Sequence, residues 1–185
     1  MLKQSIAKRI VKLMKWNVKV NVDVPLPNKC VICIAPHTSN WDFILCELAL
    51  KAVGLKSGFL MKETWFFFPL GYIFRSMGGI PVPRKKGGSL TNSIIEAGKN
   101  NKNFVIAITP EGTRSLNENW RKGFLHIAYN LEIPILLCYL DFKNRVICLD
   151  KEFKYVGDLE KDMKSVKEYY KNIPAKYPEK FGTGL

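Results

Sequence analysis

Three short, uninterrupted apolar runs punctuate the chain: CVICIA at 30–35, FVIAIT at 104–109 and PILLCYL at 134–140. Runs of this length without alternation mark strands covered by helices on both faces. Segments with helical apolar spacing lie around and between them, at 40–53, 89–100 and 119–130, with Gly54 as a stop signal and Gly123 as a tolerated interior glycine. Alternating strands and helices predict an α/β fold, with a mostly parallel central sheet flanked by helices.

The flanking segments read differently. VKVNVDV (18–24) alternates with period two and ends at Pro25-Leu26-Pro27-Asn28, which predicts a half-buried strand closed by a turn. A second short strand is expected within GGIPVPRKK (78–86). Residues 62–79, KETWFFFPLGYIFRSMGG, crowd aromatic and aliphatic side chains around Pro69 and Gly71. They predict a broken helix that lines an apolar slot or lies at a membrane surface. Residues 158–172 carry mixed charge and are expected to form a solvated C-terminal helix. At the other end, residues 2–18 form an N-terminal basic amphipathic helix, with Leu2, Ile6, Ile10, Leu13 and Met14 on one face and Lys8, Arg9, Lys12 and Lys15 largely opposite. Such a helix is either an interfacial anchor or a surface helix packed on its own domain.

At 185 residues, with no repeat or linker, the chain is expected to be a single domain over 1–185. Twenty-nine Lys and Arg against sixteen Asp and Glu leave a formal charge of +13, which attracts nucleic acid, anionic headgroups or phosphorylated substrates. No helix-turn-helix, zinc-finger or RNP pattern accompanies the charge, which argues against nucleic acid. The five cysteines, Cys30, Cys33, Cys46, Cys138 and Cys148, sit mostly in apolar runs without a signal peptide and read as buried reduced thiols of a cytosolic protein. Cys30 and Cys33 form C-x-x-C, yet no second Cys/His pair completes a metal site. No uncharged apolar stretch reaches the roughly 18 residues of a spanning helix, so any membrane contact is expected to be peripheral.

His37, one of two histidines, stands five residues before Asp42 at a strand-to-helix junction. On a regular helix that spacing points side chains about 140° apart, but with His37 in the turn and Asp42 in the first helical turn the two can meet. The pair then reads as a base and its orienting carboxylate, placed beyond the carboxyl end of a strand where open α/β sheets bind ligands. Ser39-Asn-Trp-Asp42 also matches a capping box, which would make Asp42 only a helix cap. TPEGTRS (109–115) follows the second apolar run. There Gly112 and Thr113 permit a tight turn with exposed N–H groups, Arg114 offers a fork for phosphate or carboxylate, and Glu111 is expected to anchor that arginine. The alternative is a plain polar loop. Arg84, next to a strand end, is a better site candidate than Lys85 and Lys86, and Lys62 opens the aromatic segment.

In order, these segments resemble the four blocks of the glycerophosphate acyltransferase family typified by 1-acylglycerol-3-phosphate acyltransferase. The blocks are His37-Thr-Ser-Asn-Trp-Asp42; Lys62 through Pro69 and Gly71 to Gly79-Ile80-Pro-Val-Pro-Arg84; Pro110 to Ser115; and Ile133-Pro134-Ile135, all within 30–140. Pro36 before the histidine and Leu137 in place of a second proline depart from the pattern and put the acceptor in question. The resemblance implies an α/β domain with an N-terminal membrane-binding element. It also implies direct acyl transfer, in which His37 takes a proton from a glycerol hydroxyl, Asp42 orients His37, and the alkoxide attacks an acyl-CoA or acyl carrier protein thioester. No cofactor, metal or acyl-enzyme is implied. Arg114 and Lys62 would hold the acceptor phosphate with help from Arg84, while Glu111, Gly112 and Thr113 form the loop. The implied partners are a lysophosphatidic-acid-like acceptor, anionic membrane lipids and a possible acyl carrier protein, at the cytoplasmic face of a membrane. Alternatives are the same chemistry on another lysolipid or an acylated amino acid lipid and, more distantly, a non-catalytic basic protein that binds membrane or nucleic acid.

Overall fold

In the computed structural model, which describes residues 2–23, 25–55, 58–62, 64, 66–76, 79–82 and 90–185, strands and helices alternate through most of the chain. The order is α1 (Leu2–Leu13), β1 (Asn17–Val20), β2 (Lys29–Ala35), α2 (Asn40–Ala52), β3 (Gly58–Lys62), α3 (Leu70–Ser76), β4 (Gly79–Val82), α4 (Leu90–Asn100), β5 (Phe104–Ile108), α5 (Gly123–Leu131), β6 (Ile135–Asp141), β7 (Val146–Phe153) and α6 (Leu159–Tyr170). One seven-stranded sheet runs β1-β7-β6-β2-β5-β3-β4. The strands β6, β2, β5, β3 and β4 are mutually parallel, whereas β7 runs antiparallel to β6 and pairs in parallel with β1. The carboxyl ends of the five parallel strands therefore open on a single edge.

The strand β2 shows why its sequence is continuously apolar. Val31, Cys33 and Ala35 point into one core with residues of α4, α5 and α6, while Cys30, Ile32 and Ile34 point into a second core with Leu45, Cys46, Ala49 and Leu50 of α2. Both faces of the pleat are covered, so neither tolerates a polar residue. The five cysteines are free and buried. Cys30 and Cys33 face opposite sides of the sheet, which explains why their C-x-x-C spacing builds no joint site, and burial pushes the Cys30 thiol up to about 12.

The first helix stops at Leu13, because Lys15 adopts φ 58° and the chain turns into β1. Its packing face is also different: Ala7 and Val11 are buried, whereas Ile6, Ile10 and Leu13 are exposed. Gly123 begins α5, so it is not an interior glycine. Helix α6 is solvated on only one side, since Met163, Val166 and Tyr170 are buried. The Tyr170 hydroxyl reaches the Cys33 carbonyl at 2.7 Å and the Cys138 carbonyl at 3.2 Å, which locks α6 onto β2 and β6. The strands β3 and β7 had no distinct pattern. In β7 the buried Ile147, Cys148 and Leu149 are followed by a half-buried Asp150 and the exposed Lys151 and Glu152, so neither a continuous nor an alternating signal emerges.

Candidate active site

The site grows from the end of β2. Ala35 leads through a cis Pro36 into a turn, and Ser39, with extended backbone, caps α2. Asp42 lies in the first turn of α2, its side chain 1% exposed. Its Oδ2 accepts the Thr38 N–H at 2.6 Å and the Ser39 N–H at 2.7 Å, and its Oδ1 accepts the Ser39 hydroxyl at 2.7 Å. The same Oδ2 lies 3.4 Å from Nδ1 of His37. The two readings of Asp42 are therefore compatible. The capping bonds hold the carboxylate still, and the held carboxylate faces the imidazole.

The second loop grows from the end of β5, the neighbour of β2. The Gly112 N–H turns back to the Thr109 carbonyl at 3.2 Å. Gly112 adopts φ +65°, a conformation that favours glycine, and a Cβ added there would lie 2.7 Å from Nε of the flexible Arg121 side chain, which would have to move aside. Glu111, 4% exposed, turns inward and its Oε1 accepts the backbone N–H of His37 at 2.8 Å. Its Oε2 is buried without a hydrogen-bond partner. Burial raises the Glu111 carboxyl to about 8; the His37 N–H acts in the other direction and the nearby Asp42 charge adds to the rise.

Arg114 is not anchored by Glu111, contrary to expectation. Its guanidinium donates to Oδ1 of Asn40 at the start of α2, which brings the arginine beside the His37 turn. Glu111 instead ties its side chain to His37 and its carbonyl to the Asn117 amide at 2.6 Å. Thr113 accepts the Ser115 N–H at 3.3 Å within the loop. Lys62 ends β3, next to β5, so its backbone stands at the same sheet edge. Arg84, Lys85 and Lys86 lie outside the described residues. The other histidine, His126, is exposed on α5 and takes no part. Among the described residues, no group of three or more His, Cys, Asp and Glu side chains is arranged to hold a metal ion.

Sequence reasoning missed Asn40 as the partner of Arg114, although Asn40 sits inside the first block. It also missed Tyr177, whose N–H donates to the Thr38 hydroxyl oxygen at 3.3 Å and which no local pattern distinguishes. Trp41 and Ile44 of α2 are exposed, as are Phe67, Phe68, Tyr72 and Ile73 in and before α3. Among the described residues, no helix is long and apolar enough to cross a membrane.

A family model described as Acyltransferase matches residues 17–141, which spans both loops of the site. The fold is similar to that of a solved protein, the 1-acyl-sn-glycerophosphate (LPA) acyltransferase PlsC from Thermotoga maritima. The TM-score is 0.62 at 18% identity, covering 94% of this chain and 79% of that one. No curated protein sequence matches the chain.

Proposed function

The chain belongs to the acyltransferase family, and from that premise we propose that it moves a fatty acyl group from an acyl thioester to the free hydroxyl of a lysophosphatidic-acid-like acceptor. The observation that carries this reading is the approach of His37 Nδ1 to Asp42 Oδ2, 3.4 Å apart, beside the loop that bears Arg114. With Nδ1–H directed at the carboxylate, Nε2 is left as the basic nitrogen. It takes the acceptor's hydroxyl proton as the oxygen attacks the thioester carbonyl carbon. Collapse of the tetrahedral intermediate breaks the carbon–sulfur bond, and the leaving thiolate receives that proton from the imidazolium. The products are an ester and a free thiol. A positioned base of this kind contributes roughly 10²–10⁴ in rate, with the rest coming from placement and charge stabilisation.

In this reading Arg114 binds the acceptor phosphate, with Lys62 and Arg84 as the other cations, and Glu111, Gly112 and Thr113 shape the loop. The enzyme works as a peripheral protein on the cytoplasmic face of a membrane with anionic lipids, where acceptor and product reside. Support comes from the exposed Ile6, Ile10 and Leu13 of α1 beside Lys8, Arg9 and Lys12, and from the exposed aromatic residues near α3. The donor is acyl-CoA or acyl carrier protein. The deciding experiment is acyl transfer to lysophosphatidic acid in vesicles, with wild type and His37→Ala in parallel. Transfer by wild type alone is expected; equal transfer by both would overturn the role of His37.

A further inference from the structure

The segment 174–185 carries none of the four blocks, yet it touches the turn that bears His37 and the β5–α5 connection that the 110–115 loop opens. Leaving α6, it is fixed first by the Phe142 N–H, which donates to the Pro174 carbonyl at 3.0 Å. Ala175 is buried, and the Tyr177 N–H then donates to Thr38 Oγ1 at 3.3 Å. Pro178–Lys180 forms one turn of 3-10 helix, after which the Phe181 ring packs against Trp120, 6.0 Å between centroids. The Trp120 indole N–H donates to the Gly182 carbonyl at 3.0 Å, and Thr183 is buried. Gly182 and Gly184 pass so close to the β5–α5 connection that a Cβ would lie 2.9 Å from Leu116 Cδ1 at the first and 2.9 Å from Glu118 Cβ at the second.

Thr38 is the residue on which this arrangement turns. It is 3% exposed, its N–H is spent on Asp42 Oδ2, and its hydroxyl receives Tyr177. It therefore links the segment to the carboxylate that faces His37. The other end of the segment is held by Trp120, whose chain neighbour Arg121 donates its N–H to the Pro110 carbonyl at 2.7 Å, at the root of the Glu111–Arg114 loop.

We propose that the segment 174–185 is a positioning element of the active site, holding the Thr38 turn in register with the 110–115 loop through Tyr177 at one end and Gly182 at the other. This rests on the reading of His37 and Asp42 as the catalytic pair. The two loops stem from adjacent strands, but among the described residues only the Glu111–His37 and Arg114–Asn40 bonds join them directly. A brace from outside limits their relative motion, and reaction rates are sensitive to misplacement of catalytic groups by an ångström or less. None of the segment's contacts lies on a residue assigned to bind substrate. Its loss should therefore slow the chemical step more than it weakens binding.

The test is steady-state acyl transfer by Thr38→Val, Thr38→Ser and Trp120→Phe, together with melting temperature and hydrogen exchange at the Tyr177 amide. Valine keeps the shape of threonine and removes the acceptor, so kcat should fall about fivefold, the value of one lost hydrogen bond, with both KM values within about twofold of wild type. Serine keeps the acceptor and should recover most of the loss. Trp120→Phe removes the indole donor and should shift kcat the same way; it decides the matter alone if Thr38→Val does not fold. The Tyr177 amide should exchange faster in Thr38→Val. Active wild type with both variants at its rate, or unchanged Tyr177 exchange, would overturn the positioning role alone. An inactive wild type would instead overturn the functional reading and this inference with it.

Discussion

Glu111 and His37 are joined across 74 residues of sequence by one bond, from the His37 N–H to Glu111 Oε1 at 2.8 Å. The second oxygen of that carboxyl is buried without a partner, and burial raises the group to about 8. Unfolding returns it to the ordinary range near 4.3. The native state therefore binds the extra proton between those two values, and the stabilisation this group contributes is complete below about pH 4 and lost as pH rises through about 8. Glu111→Gln, which cannot ionise and keeps an oxygen for the His37 N–H, should melt progressively higher relative to wild type as pH is raised from 5 to 9. Parallel melting curves across that range would contradict the protonated Glu111.

Asp42→Asn tests whether the carboxylate does more than cap. An asparagine oxygen in place of Oδ2 still accepts the Thr38 and Ser39 N–H groups, and its amide can donate to the Ser39 hydroxyl, which turns to accept. Folding should survive with a melting temperature a few degrees lower, while kcat falls on the order of 10²–10⁴ because the imidazolium loses its counter-charge. Unchanged turnover would reduce Asp42 to a cap.

Arg114→Ala removes a guanidinium that is exposed and bonded only to the Asn40 side chain among the described residues. The KM for lysophosphatidic acid should rise about tenfold or more, and that for a monoacylglycerol, which lacks the phosphate, should not. An equal change with both acceptors would detach Arg114 from phosphate recognition.

The exposed stripe of α1 is separable from its packing. Ala7 and Val11 face the protein, and Gln4 donates to the Ala52 carbonyl at 3.2 Å, so replacing Ile6, Ile10 and Leu13 together by serine should leave α1 docked and lower the melting temperature by only a few degrees. Binding to anionic vesicles, measured by cosedimentation, should weaken at least about tenfold, since each such side chain gains roughly 1.5–3 kcal/mol on full burial. Vesicle affinity equal to wild type would place the membrane contact elsewhere.

The sequence by itself determined the fold class and the approach of His37 to Asp42. Continuous apolar strands alternating with helical periods leave little besides a covered parallel sheet, and a histidine in the turn five residues before an aspartate is local enough for chain geometry to bring them together. Only the tertiary structure decided which partner each polar group takes. Glu111 was expected beside Arg114, three residues away, but burial turned it towards His37, and Arg114 went to Asn40 instead. Likewise, α1 could be read as amphipathic but not as packing through Ala7 and Val11, because periodicity defines a face without saying what lies opposite. The link from Tyr177 to Thr38 spans 139 residues and uses a backbone N–H that every residue but proline possesses. Local pattern carries no trace of such a bond; it exists because α6 docks on β2 and β6 and sends the chain back across the site.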